Sequence, residues 1–359
     1  MRAAAEPRPA EVSARNILHM MRIDASERAA LLSIIDRFPR QRIIVLGDLV
    51  ADEFIYGEIA RVSREAPVLI LKQREKQIVP GGGANAANNL ADLGAQVTPI
   101  GVVGDDQEGE SLLRYFDHKG ISTHRVLRLR NHQTPTKSRI LGALSHWQRQ
   151  QIVRIDREPP GPVDRATRRR LSESIVGILR RASGLLVSDY GYGSTDATEV
   201  EFLRRRAVRL GCSIPFTVDS RFGLRNYARV TAAAPNEPEV EEAFGQRINN
   251  NLELLHRLGR RILQRQSLQS LLITRGRDGM VLFEARRKPQ HIPIFGSDQA
   301  VDVTGAGDTV IAAFTLALAA GASCLRAALL ANCAAGIVVM KRGTATVTGQ
   351  ELREAISKA

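Results

Sequence analysis

The chain of 359 residues is 43% apolar, 25% charged and 4% aromatic, with 29 Gly and 15 Pro, which excludes a disordered, collagenous or coiled-coil chain. Its length suits one large α/β domain or two average ones. Basic residues outnumber acidic ones 51 to 38, for a net charge of +13, and 44 of the 51 are Arg.

In chain order, residues 1–40 read as an N-terminal extension separate from a domain at 41–359. Its Pro- and Ala-rich start lacks the apolar core of a secretory signal and is expected to be mobile; a short capped helix follows from Ser26 to Leu32. Arg42–Gly47 is an unbroken apolar run ending in Gly, the pattern of a strand buried on both faces. Runs of the same kind recur at 97–104, 184–190, 213–219, 230–236 and 270–276. Helical patterns separate them at 85–93, 109–119, 164–181, 198–210, 237–244 and 252–266. Strand, helix, strand in series predicts an α/β fold, a doubly wound, mostly parallel sheet flanked by helices. Ligands of such sheets bind beyond the carboxyl ends of the strands, where Asp189, Asp219, Asn236 and Thr274 fall. Two segments, 53–79 and 134–156, break the rhythm with alternating polarity and β-branched residues. They predict antiparallel strands outside the main sheet, a small β lid over its edge. Trp147, the sole Trp, falls in the second and reads as packing.

The Arg residues are scattered over separate segments without interleaved aromatics. That pattern favours solvated helix faces over a nucleic-acid footprint, and leaves open an attraction for small anions. Three Cys without CxxC spacing predict free thiols and a reducing cytoplasm. No apolar stretch is long enough for a membrane span, and His146, His256 and His291 lack metal-ligand spacing.

Two motifs carry chemistry. In Asp302-Val-Thr304-Gly305-Ala306-Gly307-Asp308-Thr, three small residues open a long apolar helix, so backbone N–H groups can converge on an anion. Asp308 then lies in the first turn, where a carboxylate either compensates the helix dipole or accepts a hydroxyl proton beside the anion hole. The second motif, Pro80-Gly-Gly82-Gly83-Ala-Asn85-Ala-Ala-Asn88, is neither a Walker loop nor GxGxxG. It suits close backbone approach to a hydroxylated ligand, with Asn85 and Asn88 as donors and acceptors. Asn236 and Glu239 read either as a helix cap or as ligand groups.

Together the two motifs resemble the PfkB, or ribokinase-like, family of carbohydrate kinases over about residues 41–357. Within it, Arg61-Val-Ser-Arg-Glu-Ala-Pro-Val68 and Ser188-Asp-Tyr190 are similar to the heptose 7-phosphate kinases of ADP-heptose synthesis. The resemblance implies a ribokinase-like fold and ATP-dependent phosphorylation of the anomeric hydroxyl of a heptose 7-phosphate, with Asp308 as base and Gly305, Ala306 and Gly307 as anion hole. It implies acceptor contacts from Asp52, Gly82, Gly83, Asn85, Asn88, Arg139 and Asp189. Nucleotide contacts fall to Asn236, Glu239, Thr274, Gly276, Gly279 and Asn332. Glu239 would organise Mg²⁺ through water, and Asp302, Thr304 and Thr344 a monovalent cation such as K⁺. A homodimer through the lid is also implied, with no membrane or nucleic-acid partner.

The chain departs from that pattern where lysines are usual, reading Tyr192 and Arg221, which leaves another sugar, sugar phosphate or nucleoside as a rival acceptor. A non-catalytic ligand-sensing or nucleic-acid-binding relative is the rival from another class. No His-x-Gly-His motif occurs, so the expectation is a kinase of the single-function type.

Overall fold

The computed structural model describes residues 23–143, 150–297 and 299–359. Helix α1 (Ala25–Ile35) starts at Asp24, whose carboxylate accepts the Glu27 N–H. A 3-10 turn (Phe38–Arg40) leads into β1 (Arg42–Gly47). Strands β2 (Leu49–Val62) and β3 (Leu69–Gly81) form a long antiparallel pair. They are followed by α2 (Gly82–Asp92), β4 (Gln96–Ile100), β5 (Val102–Gly104), α3 (Gln107–His118) and β6 (Leu127–Leu129). A second antiparallel pair comprises β7 (Thr136–Ala143) and β8 (Gln150–Arg157). Next come α4 (Arg165–Val176), β9 (Gly184–Asp189), α5 (Ala197–Arg209), β10 (Phe216–Ser220), β11 (Ala232–Ala233), α6 (Glu237–Phe244) and α7 (Leu252–Arg265). The chain closes with β12 (Ser270–Thr274), β13 (Met280–Glu284), β14 (Gln290–Ile292), α8 (Ala306–Ala319), α9 (Cys324–Val338) and α10 (Gly349–Lys358).

The main sheet has the order β14-β13-β12-β11-β10-β9-β1-β4, parallel from β4 to β12 and antiparallel at its last two strands. β1 shows why its apolar run is unbroken. Ile43 and Val45 enter one core with α1, α2, α3, α8, α9 and α10, while Ile44 and Leu46 enter the other with α4 to α7. The expected doubly wound architecture is therefore present.

Three expectations change. The run 97–104 divides at Gly101, where a Cβ would lie 2.4 Å from Gly47 O; β4 stays with β1, and β5 pairs with β6 in a separate sheet. The four-stranded lid, β3-β2-β7-β8, is not wholly antiparallel, because its two central strands pair in parallel from Ala51↔Thr136 to Glu58↔Ala143. The chain reaches β7 by a crossover through α2 and α3, not by a hairpin turn, and so arrives running the same way. Nor does residue 40 divide two packing units. Leu31, Ile34, Ile35 and Phe38 lie in the core shared with α9 and α10, and Arg326 holds Glu27 with two hydrogen bonds of 2.9 Å. The Pro- and Ala-rich start (1–22), His146 and Trp147 fall outside the described residues. Among the described residues no helix is long and apolar enough to cross a membrane.

Candidate active site

Helix α8 begins at Gly305, which has φ +78° and offers no side-chain cap; a Cβ there would sit 2.6 Å from Asn85 Nδ2. Of the expected anion-hole amides, that of Ala306 is committed to Val303 O at 3.2 Å, because the positive φ of Gly305 folds the chain back as a turn. The amides of Gly305, Gly307 and Asp308 carry no acceptor among the described residues. A Cβ on Gly307 would meet nothing within 4 Å, so the space before these amides is open.

Asp308 is buried in the first turn of α8. Its Oδ2 accepts from Asn85 Nδ2 at 2.8 Å and its Oδ1 from the Tyr190 hydroxyl at 2.9 Å. Burial pushes its pKa up from 3.8 to about 7, opposed by these two hydrogen bonds and reinforced by Asp52 and Glu239. The Asn85 amide is oriented in turn. Its Oδ1 accepts from Asn89 Nδ2 at 3.1 Å, and Asn89 Oδ1 accepts from the Thr309 hydroxyl at 2.9 Å.

On the lid side, Asp52 at the root of β2 pairs with Arg139 of β7 at 2.7 Å and accepts from the Thr344 hydroxyl at 3.1 Å. The Arg139 guanidinium also lies over the Phe54 ring. Gly82 (φ +52°) gives room for the Tyr190 ring, which a Cβ there would approach to 3.2 Å. Gly83 brings α2 against Asp48 O, so its N–H is spent on that carbonyl at 3.0 Å. Asn88 turns to α3, its Nδ2 3.4 Å from the Tyr115 hydroxyl.

Asp189 is engaged by the protein itself. Its carboxylate is filled by the Ser220 and Tyr227 hydroxyls at 2.8 and 2.7 Å and the Gly191 N–H at 3.0 Å, which fix the loops after β9 and β10. Asp48 is likewise structural: fully buried, it accepts the N–H groups of Tyr190, Tyr192 and Ser194.

On the opposite side, Thr274, Gly276, Gly279 and Asn332 line a mainly apolar cavity of about 200 Å³ that reaches Ala306 and Gly307. Met280, Phe295 and Val339 supply its apolar walls. Asn236 and Glu239 form a reciprocal cap on α6, at 2.8 and 2.9 Å, and Asn236 lines a neighbouring cleft with Thr274 and Gly276. Burial raises Glu239 to about 7 and holds Asp219 well above the ordinary range, the charges of Glu239 and Asp308 adding to the effect on Asp219. These acidic groups, with Arg221 acting on Glu239, would favour a divalent cation, whose charge would displace their protons. Among the described residues no three acidic, His or Cys side chains converge to ligate one directly.

The monovalent-cation trio does not assemble from side chains. Asp302 binds the N–H groups of Thr304 and Gly343, both at 2.9 Å, while the Thr344 hydroxyl turns to Asp52. A further cavity of about 350 Å³ opens beside Tyr190, lined by Lys137, Asp156, Tyr192, Arg221 and Phe222. Lys137 Nζ lies 3.3 Å from both Asp156 Oδ2 and the Tyr192 hydroxyl.

Comparison with known proteins identifies the family and the fold. The pfkB family carbohydrate kinase profile matches residues 41–150 and 220–350. The chain belongs to the PfkB family of carbohydrate kinases. The "Bifunctional protein HldE" of Pelobacter propionicus is 38% identical over 93% of this chain and 67% of its own length. That of Geobacter metallireducens is 40% identical over 86% and 61%. The PfkB chain thus spans about two thirds or less of these relatives. Arabidopsis thaliana ribokinase, solved with ribose and ATP, has a TM-score of 0.66 and 20% identity over 88% of this chain and 98% of its own. Escherichia coli phosphofructokinase-2, solved with potassium, scores 0.68 at 17% identity over the same shares. These two share the ribokinase-like fold, and this PfkB kinase is a phosphotransferase with an alcohol acceptor.

Three side chains at the site have no role assigned from sequence. Tyr190 ends the Ser188-Asp-Tyr190 motif, and nothing local says that its hydroxyl reaches α8. Asp219 carried only its place at a strand end. Phe295 had no signal at all, since its contact with α9 at Gly336 is long-range.

Proposed function

We propose that the chain transfers the γ-phosphoryl group of ATP to the anomeric hydroxyl of a heptose 7-phosphate. One observation carries the reading: the buried Asp308 carboxylate stands beside the free Gly307 and Asp308 amides, with an apolar cavity on one side and the Asp52–Arg139 pair on the other. The acceptor hydroxyl gives its proton to Asp308 as its oxygen bonds to phosphorus and the bond to ADP breaks. The amides receive the charge that develops on the phosphoryl oxygens, and the lid excludes water. Mg²⁺, when bound near Glu239 and Asp219, supplies charge neutralisation for the phosphates.

The identity to the HldE relatives supports the heptose. Lys137 and Arg221 in the adjoining cavity support an acceptor that already bears a phosphate. Tyr192 and Arg221, where lysines are usual, favour a second reading with another sugar phosphate. An ATP requirement is consistent with a cytoplasmic setting. Val62, Leu69, Ile152, Val153 and Ile155 on the lid strands and Val68 in the β2–β3 loop stand exposed, which supports a homodimer through the lid.

ADP release with a panel of phosphorylated sugars tests the acceptor. Heptose 7-phosphate should give the highest kcat/KM, and turnover of another sugar with none on the heptose would replace it. Asp308→Asn should lose at least about a hundredfold in kcat while folding normally; near-native turnover would remove Asp308 as the base.

A further inference from the structure

Asp308 receives one donor on each carboxylate oxygen, and only one donor comes from the motif helix α2. The other is the Tyr190 hydroxyl, and Tyr190 is held independently of Asp308. Its backbone N–H donates to the buried Asp48 carboxylate at 2.9 Å, and its ring rests on the space left by Gly82. Burial, first, and the facing charge of Asp308 push the phenol pKa far up, so this group stays protonated and acts as a donor. The titratable groups facing Asp308 are Asp52 on β2, Glu239 on α6, Asp219 on β10 and Tyr190 after β9. Of these, Tyr190 alone donates a hydrogen bond to it.

We propose that Tyr190 is a positioning residue for phosphoryl transfer: its hydroxyl fixes the plane of the Asp308 carboxylate so that a free lone pair faces the incoming alcohol. Asn85 alone leaves that plane free to turn about the Oδ2 contact; two donors, one per oxygen, remove the rotation. The same bond favours the ionised form of the base. This inference rests on the reading of Asp308 as the base, and the experiment separates the two.

Tyr190→Phe and Asp308→Asn are compared for melting temperature, affinity for a non-hydrolysable ATP analogue, and steady-state kinetics from pH 5.5 to 9. Tyr190→Phe should bind the analogue normally and keep KM for the sugar phosphate within about threefold. Its kcat should fall about ten- to a hundredfold at pH 7, the range for losing a hydrogen bond to a charged group, with the acid limb displaced to higher pH. Asp308→Asn should be inactive at every pH. Native kcat and pH profile in Tyr190→Phe beside a dead Asp308→Asn overturns the role of Tyr190 and leaves the site intact. A raised KM with unchanged kcat makes Tyr190 a sugar contact and overturns it as well. Full turnover by Asp308→Asn removes the base reading itself. Should Tyr190→Phe fail to fold, 3-fluorotyrosine at 190 keeps the shape and strengthens the donor. Its acid limb should move to lower pH, and an unmoved limb overturns the proposal.

Discussion

If Asp308 is the base, as proposed, folding and catalysis want opposite protonation states of one carboxylate. Its pKa near 7 in the folded chain exceeds the ordinary 3.8, so the native state keeps a proton that the unfolded state has lost between those values. The stability tied to that proton is complete below about pH 4 and is lost as pH rises through 7. Turnover needs the opposite form, so kcat/KM for the sugar should fall on the acid side with a limb near pH 7 in the free enzyme. Asp308→Asn should therefore melt higher than the native protein at pH 8, by about 2 °C or more, with the gap closing by pH 5.5. A thermal-shift series across pH checks it, and a variant less stable throughout would contradict the conflict. At this scale Asp308, Asp52 and the glycines were legible because their motif spacing carries chemistry. Asp189 was not: its end-of-strand position is the same for a ligand contact and for a loop clasp, and only the folded loop brings Ser220 and Tyr227 to it.

Among the elements, the first turn of α8 matters most, because three of its amides lie open while its far end is buried apolar helix. Gly307→Ala adds a methyl group that meets no protein atom and improves helix propensity, so the fold should be kept or slightly strengthened. The methyl enters the space before the amides, and kcat/KM for ATP should drop about tenfold or more. Kinetics with a parallel melt separates this from simple destabilisation; native kinetics would mean that the phosphates lie elsewhere. Most strands and helices were readable, since two-faced burial leaves unbroken apolar runs and Asp or Ser caps mark the helix starts. Strand partnership was not. Whether β2 meets β7 in parallel is set by a crossover more than fifty residues long, and Gly101 ends the pairing of β4 through a contact with Gly47 that adjacency cannot reveal.

For the whole molecule, folding sorts the charge that looked dispersed along the chain. The helices α4 to α7 with the 3-10 turn Leu179–Arg181 carry fourteen Arg against eight Glu, whereas α1, α2, α3, α8, α9 and α10 carry five basic against eight acidic residues. The lid has the complementary property of apolar side chains in water. If a second copy covers them, light scattering should give twice the 39.4 kDa chain mass, and Ile155→Asp should return a single chain with an unchanged melt of the main domain. A native mass of one chain would refute the pairing.

β2 begins at Leu49 in the core, carries Asp52, the proposed acceptor contact, and continues through irregular pairing at Tyr56/Gly57 to the exposed Val62. Core and tip are thus two ends of one strand, with the irregular pairing between them and beyond Asp52. On the proposed reading, one continuous strand joins the acceptor contact Asp52 to the exposed tip, so a second copy seated on the tip would bear on the strand that carries that contact.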